Sequence, residues 1–303
     1  MAKIQPLRTF FFVQFLCIAL LLCSCSARQS AKLKNEPFSP KIGVCTSKAD
    51  SQFMERAGLD YIESSVRGFL VPTKEEDVFQ AANRKYEEEG VKTYACNGFL
   101  PGSLKSVGPD AKHDEIITYC ETAFRRAEEA GVKYIVFGSG ASRRIPDGFD
   151  PTRAREQFVE LLGRMGPVAG KDGVTVVIEP LRSKECNFIN RVDEALAIAK
   201  DVHHPNIRVL ADFYHMMQEG EGPESIIAAG EYLRHCHIAE NEGRWYPGKN
   251  GEDFTPYLQA LKDIGYNGGI SMECRWSDFP NEVGQAVDFL EMQIEAVKVS
   301  PEY

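Results

Sequence analysis

The sequence predicts an α/β protein, a (β/α)8 barrel in a single domain, and three observations carry that prediction. Eight short runs rich in β-branched and aromatic residues recur along the chain. Amphipathic or charged stretches separate them, and Ala-Gly or Glu-Gly pairs introduce several of them. Gly at a helix end supplies the left-handed cap that turns the chain into a following strand, so those pairs are helix-to-strand junctions.

The strand candidates are, in order, KIGVCT from Lys41, LDYIESS after Gly58, VKTYACN after Gly90 and VKYIVFG after Gly131. VTVVIEP after Gly173, IRVLAD from Ile207, YLRHCHIA from Tyr232 and GISMEC from Gly269 complete the set. Between them, helix-like periodicity covers 75–89, 113–130, 151–169, 192–202 and 254–264, with a terminal helix at about 281–297. A doubly wound open sheet is the competing architecture. It lacks a GxGxxG after the first strand, and its strands would number five or six more often than eight.

Residues ahead of the barrel read differently. Lys3 and Arg8 open a segment that runs almost wholly apolar from Phe10 to Leu22 and closes on Leu22-Cys23-Ser24-Cys25-Ser26. Thirteen residues fall short of the ~20 that span a bilayer, which favours an export signal over a transmembrane anchor. The Leu-x-Ser-Cys arrangement resembles a bacterial lipobox, which implies cleavage before Cys25 and lipid on its sulfur. The expected organisation is a signal at 1–24, a polar tether at 25–40 and a barrel at 41–303, exported and lipid-anchored in the cell envelope.

The whole chain is 43% hydrophobic and 26% charged, a foldable composition. Loss of residues 1–24 takes two basic and no acidic side chains, leaving 33 against 44 and a formal charge of -11. So acidic a chain argues against a nucleic-acid partner, whose non-specific affinity needs a surplus of Lys and Arg. Apart from Cys25, the mature chain keeps six cysteines without a CxxC pair, expected as small buried residues and not as disulfides.

Active sites of this fold lie where the strands end at their C-terminal face. Four consecutive strands here end in metal-ligand side chains: Glu179, Asp212, the pair His235 and His237, and Glu273. Any one acidic strand end is ordinarily a solvated residue or a helix cap; four in succession around one axis point to a single divalent ion. His235 and His237 share the strand period of two and point to the same side. His237, nearer the strand end, is the expected ligand, with His235 a layer deeper and structural. His203 and His204 read as surface residues, and His113 as the start of a helix.

Residues 41–297 resemble the sugar phosphate isomerase/epimerase family, xylose-isomerase-like TIM barrels that include ketose 3-epimerases, hydroxypyruvate isomerases and inosose-processing enzymes. The matching strings are VVIEP with Glu185 six residues on, ADFYHM, HCHIAE, RWYPGKNGEDF and ISMECRW. The resemblance implies one ion on Glu179, Asp212, His237 and Glu273. It also implies that Glu185, His215 and Arg244 hold substrate oxygens, although Arg244 lies one residue further from the metal His than the usual epimerase spacing.

Chemistry follows from such a site. A divalent ion on a ketone oxygen and its neighbouring hydroxyl stabilises the enediolate formed when the adjacent proton leaves. Glu179 and Glu273 can remove a proton from one face and return one to the other. The expected function is therefore a metal-dependent isomerase or epimerase of a keto-sugar, with a keto-glycoside lyase or hydratase using the same enolisation as the alternative. Mn, Co, Mg, Fe and Zn all suit oxygen and imidazole donors. Export favours neutral sugars or glycosides over sugar phosphates. Arg143 and Arg144, after FGSGAS, read as solvated loop residues more readily than as an anion site, while Trp245, Tyr246 and Trp276 either stack on a sugar or pack the barrel mouth. A homo-oligomer is compatible with the sequence. Two other classes stand beside this reading. A sugar-binding lipoprotein gives no reason to keep both glutamates, and an abasic-site endonuclease needs a histidine-rich zinc cluster that six His cannot supply.

Overall fold

The computed structural model describes residues 37–47 and 50–299. Its eight parallel strands are β1 (Lys41–Cys45), β2 (Tyr61–Ser65), β3 (Thr93–Asn97), β4 (Tyr134–Phe137), β5 (Thr175–Ile178), β6 (Ile207–Asp212), β7 (Leu233–Ile238) and β8 (Gly269–Met272). They pair in sequence order and close through β1 and β8, with Lys41 opposite Gly269 and Val44 opposite Met272. The helices are α1 (Ser51–Ala57), α2 (Glu76–Glu88), α3 (His113–Glu129), α4 (Gly140–Arg143), α5 (Pro151–Lys171), α6 (Val192–Val202), α7 (Phe213–Gln218), α8 (Glu224–Ala229), α9 (Thr255–Asp263) and α10 (Phe279–Val299).

All eight expected strands form, and the periodic helices start and stop within a few residues of their predicted bounds. Gly58 and Gly131, both at φ 71°, take the left-handed conformation that the junction argument requires. The short helices α1, α4, α7 and α8 and a π-helical turn at Val66–Leu70 were not expected. At four to seven residues they hold too few turns to show a period.

Alternate strand residues divide between two apolar regions. Ile135, Val176 and Val209 face outward into the large core under the helices, while Val136, Val177 and Leu210 pack inside the barrel against Tyr134. The N-terminal floor of the barrel is aromatic. Tyr61 and Tyr94 meet at 4.8 Å, Tyr94 and Tyr134 at 5.3 Å, and Tyr134 stacks on His235 at 5.8 Å. Glycine is needed opposite this floor, since a Cβ on Gly43 would lie 2.2 Å from the Tyr61 ring.

Several expectations about single residues are corrected. Cys96, Cys120, Cys186 and Cys236 are buried, but Cys45 and Cys274 are only partly so; all six thiols are free. His203 is exposed, whereas His204 is half-buried over Gly166. The expected signal, Cys25 and residues 26–36 of the expected tether lie outside the described residues. At the end of that tether Phe38 is packed into the core, and Asn267 bonds both flanking backbone groups, those of Pro37 and Ser39. Among the described residues no helix is long and apolar enough to cross a membrane.

Candidate metal and proton-transfer site

Glu179 follows β5 directly, Asp212 ends β6, His237 lies one residue before the end of β7, and Glu273 follows β8. One ligand atom from each falls within 4.8 Å of the other three. The four side chains expected to meet therefore do so, at the C-terminal mouth. His237 Nδ1 lies between two of the carboxylates, 3.0 Å from Glu179 Oε1 and 3.4 Å from Glu273 Oε2. Close approach of β4 frames the site: a Cβ on Gly138 would lie 2.0 Å from Glu179 Oε2, so only glycine leaves the carboxylate where it is.

Asp212 has two distinct oxygens. Its Oδ1 caps α7 by accepting from the amides of Tyr214 at 2.8 Å and His215 at 3.4 Å. Its Oδ2 is buried and accepts no hydrogen bond, an arrangement that costs free energy unless a cation meets it. Burial pushes the Asp212 carboxyl up, but His215 and Arg244 outweigh it and hold the group below its usual range. Burial wins at Glu179, which is raised. At His237 burial opposes the charge, yet Glu63 and Glu273 raise the imidazole well above its usual value. Three carboxylates and an imidazole with an orphaned buried oxygen form a donor set that fits a divalent ion.

On the solvent side, Arg244 bonds Glu273 through Nη2 and Nε and stands 3.6 Å from Asp212 Oδ2 and 3.9 Å from Glu185 Oε1. It reaches the site despite its shifted spacing because its backbone adopts φ 55° and the Arg275 amide bonds its carbonyl at 2.7 Å. Glu185 is tied by Arg182 at 2.7 Å, and both guanidinium groups lie over the Tyr214 ring, at 4.9 Å for Arg244 and 5.1 Å for Arg182. His215 is buried, with Nε2 3.4 Å from Asp212 Oδ2. Of the three residues expected around the substrate, Arg244 and His215 thus touch the carboxylate cluster, and Glu185 adjoins it through Arg244.

Two residues were missed. Asn97, ending β3, donates to Glu273 Oε1 at 3.1 Å, and Glu63 of β2 lies beneath His237 at 2.9 Å. Asn97 stands at a strand end, the signal that located the four side chains on β5 to β8, whereas Glu63 is the middle residue of β2 and carries no such signal. Arg143 needs the opposite correction. It is fully buried, donating to the carbonyls of Phe137 and Ile189, because α4 turns it back under the loop after β5. Arg144 is exposed as expected and donates to the Glu185 carbonyl. At the rim, Tyr246 and Trp276 stack on each other at 5.0 Å and 5°, and Trp276 meets Phe279 edge-on at 5.2 Å. Mouth packing is thus what these two rings do.

A closed eight-stranded barrel with this strand-end cluster defines the class, and the chain belongs to the family described as xylose isomerase-like TIM barrel, whose model matches residues 52–293. An L-ribulose 3-epimerase from Methylomonas sp. (strain DH-1) is 28% identical, the match covering 78% of this chain and 88% of that protein. An inosose isomerase from Bacillus subtilis (strain 168) is 24% identical over 75% of this chain and 83% of its own length. In structure, the D-psicose 3-epimerase of Clostridium cellulolyticum H10, solved with D-tagatose, superposes with a TM-score of 0.72. That match has 24% identity and covers 84% of this chain and 99% of the other.

Proposed function

We propose that the protein is a divalent-metal-dependent isomerase or epimerase of a keto-sugar or sugar derivative. The observation that carries this reading is the convergence of Glu179, Asp212, His237 and Glu273 with Asp212 Oδ2 buried and without a hydrogen bond. Family membership and the sugar epimerase and isomerase relatives support the substrate class.

In this reading the four residues hold one ion, drawn from Mn, Co, Mg, Fe or Zn. When bound, the ion supplies Lewis acidity that lowers the cost of charge developing on a ketone oxygen. The proton moves through the protein's own carboxylates. Glu179 and Glu273 come from β5 and β8 and flank His237, so a sugar carbon above them meets one carboxylate on each face. Burial raises Glu179 and suits it to hold the proton that it removes. Glu273 accepts from Asn97 and Arg244, which keep it aimed at the opposite face. Arg244, His215 and Glu185 orient the substrate oxygens. Delivery of a proton by the second carboxylate to the other face gives an epimer and leaves the first carboxylate protonated, and delivery to the neighbouring carbon gives an isomer.

We further propose that the chain is exported and anchored through lipid on Cys25, so that the substrate is a neutral keto-sugar or a released glycoside. Incubation of the metal-loaded protein in deuterated water with a panel of ketoses and 3-keto-glycosides tests the function. Deuterium incorporation with epimer or isomer formation is expected. Elimination products would move the activity to a lyase, and bound metal without exchange on any member would make the protein a binder.

A further inference from the structure

Glu63 is a buried carboxylate that the proton-transfer scheme does not use. It is 1% exposed and sits inside the barrel between two imidazoles. Its Oε2 lies 2.7 Å from His235 Nε2, and its two oxygens lie 2.9 and 3.1 Å from His237 Nε2. Strands β2 and β7 are not neighbours, so these bonds cross the barrel interior. Opposite Glu63, β3 carries an extra residue between the partners of Ile62 and Glu63, a local irregularity of the kind that re-aims side chains beside active sites.

From these contacts we infer that Glu63 is the positioning residue that fixes His237 as an Nδ1 ligand, an inference that rests on the metal reading above. The two nitrogens of His237 face different partners: Nε2 meets Glu63, and Nδ1 meets Glu179 and Glu273. With Nε2–H donated to the carboxylate, the Nδ1 lone pair is left for a cation and the ring cannot swing. Glu63 is itself held from below. His235 Nε2 also lies 3.1 Å from Ser271 Oγ, which is 3.0 Å from the Tyr61 hydroxyl, while His235 Nδ1 is buried without a hydrogen bond. One donating nitrogen on His235 serves Glu63, so the deeper histidine orients the carboxylate instead of competing for the ion. A second donor group, Cys45, Glu63 and His237, also lies within 4.8 Å and would seat an ion lower down. In that arrangement Glu63 would be a ligand and not a positioning residue.

The test uses the intact barrel with Mn2+ or Zn2+ alone, read by calorimetric titration. Glu63→Gln, kept folded as judged by circular dichroism, should bind Mn2+ about 10–100-fold more weakly than wild type. Equal affinity in a folded Glu63→Gln protein overturns the inference, and Cys45→Ser should leave affinity unchanged. A tenfold loss in Cys45→Ser places the ion in the lower group and also overturns it. Should Glu63→Gln not fold, nitrogen-15 histidine spectra of the Zn2+-loaded wild type decide: zinc on Nδ1 with the proton on Nε2 is expected, and the reverse assignment refutes it. A wild-type chain that takes up no divalent ion sinks the metal reading itself, and this inference with it.

Discussion

Asn97 Nδ2 donates to Glu273 Oε1 at 3.1 Å, tying the end of β3 to the end of β8 across the barrel mouth. Glu273 is 28% exposed at its side chain, and without Asn97 its Oε1 loses that donor while Oε2 keeps the Arg244 guanidinium and, at 3.4 Å, His237 Nδ1. Asn97→Ala should lower kcat about tenfold with KM within twofold, because a base that wanders loses alignment and not substrate affinity. A change confined to KM in steady-state kinetics would show that Asn97 serves binding.

Glu179→Gln and Glu273→Gln should each cut solvent deuterium exchange by roughly 10³-fold, within the range for removal of a proton-transfer group. Wild-type exchange in either variant excludes the two-base scheme. His237→Ala should lose bound metal by elemental analysis. Unchanged metal there would transfer the ligand role to His235, whose Nε2 is engaged by Glu63 and Ser271.

Gly138→Ala should disable the site before it disturbs the fold. The added methyl would lie 2.0 Å from Glu179 Oε2, and the carboxylate has to move. Exchange falling by about 10²-fold, with a melting temperature a few degrees below wild type, is the outcome expected from displacing a catalytic group. Full activity would show that Glu179 need not occupy this position.

Arg126 pins the segment between β2 and α2. Its side chain is 3% exposed and donates to the carbonyls of Leu70, Val71 and Lys74 as well as to Glu76. Arg126→Met strands those acceptors and should cost about 2–4 kcal/mol in urea unfolding. Arg125 and Gln80, with Arg126, hold the Glu76 carboxyl down at about 2 from its usual 4.5. A depressed carboxyl stabilises the fold above its unfolded value and ceases to do so as pH falls towards 2. Glu76→Gln should therefore flatten the acid limb of the stability profile between those values, a result readable by thermal melts.

Cys25→Ser should abolish incorporation of labelled palmitate when the full chain is expressed in a bacterial host, and release it from the membrane fraction. Persistent labelling would place the lipid elsewhere or refute the lipobox.

The convergence of Glu179, Asp212, His237 and Glu273 was legible because barrel closure follows from chain order: once each strand is found, its last side chains must converge. Period two likewise set His235 beneath His237 without a structure. Glu63 falls outside that rule, since it is the middle residue of β2, and the imidazoles that explain it lie 172 and 174 residues away. Arg143 was misread for a related reason. A glycine-rich stretch ahead of two arginines has the composition of a solvated loop, and only the tertiary path of α4 turns the first of them inward. Short helices carried on loops owe their form to neighbours, so propensity alone could not reveal them.

The aromatic floor of Tyr61, Tyr94 and Tyr134 makes the barrel a cul-de-sac. Whatever reaches Glu179 and Glu273 from the mouth must back out through the same doorway, so product contends with incoming substrate for entry. With Glu179 and Glu273 in the proton-transfer roles proposed above, a vessel with one opening has no built-in direction. It would deliver an equilibrium mixture, and the drain on either side of the reaction outside would set which way the net traffic runs.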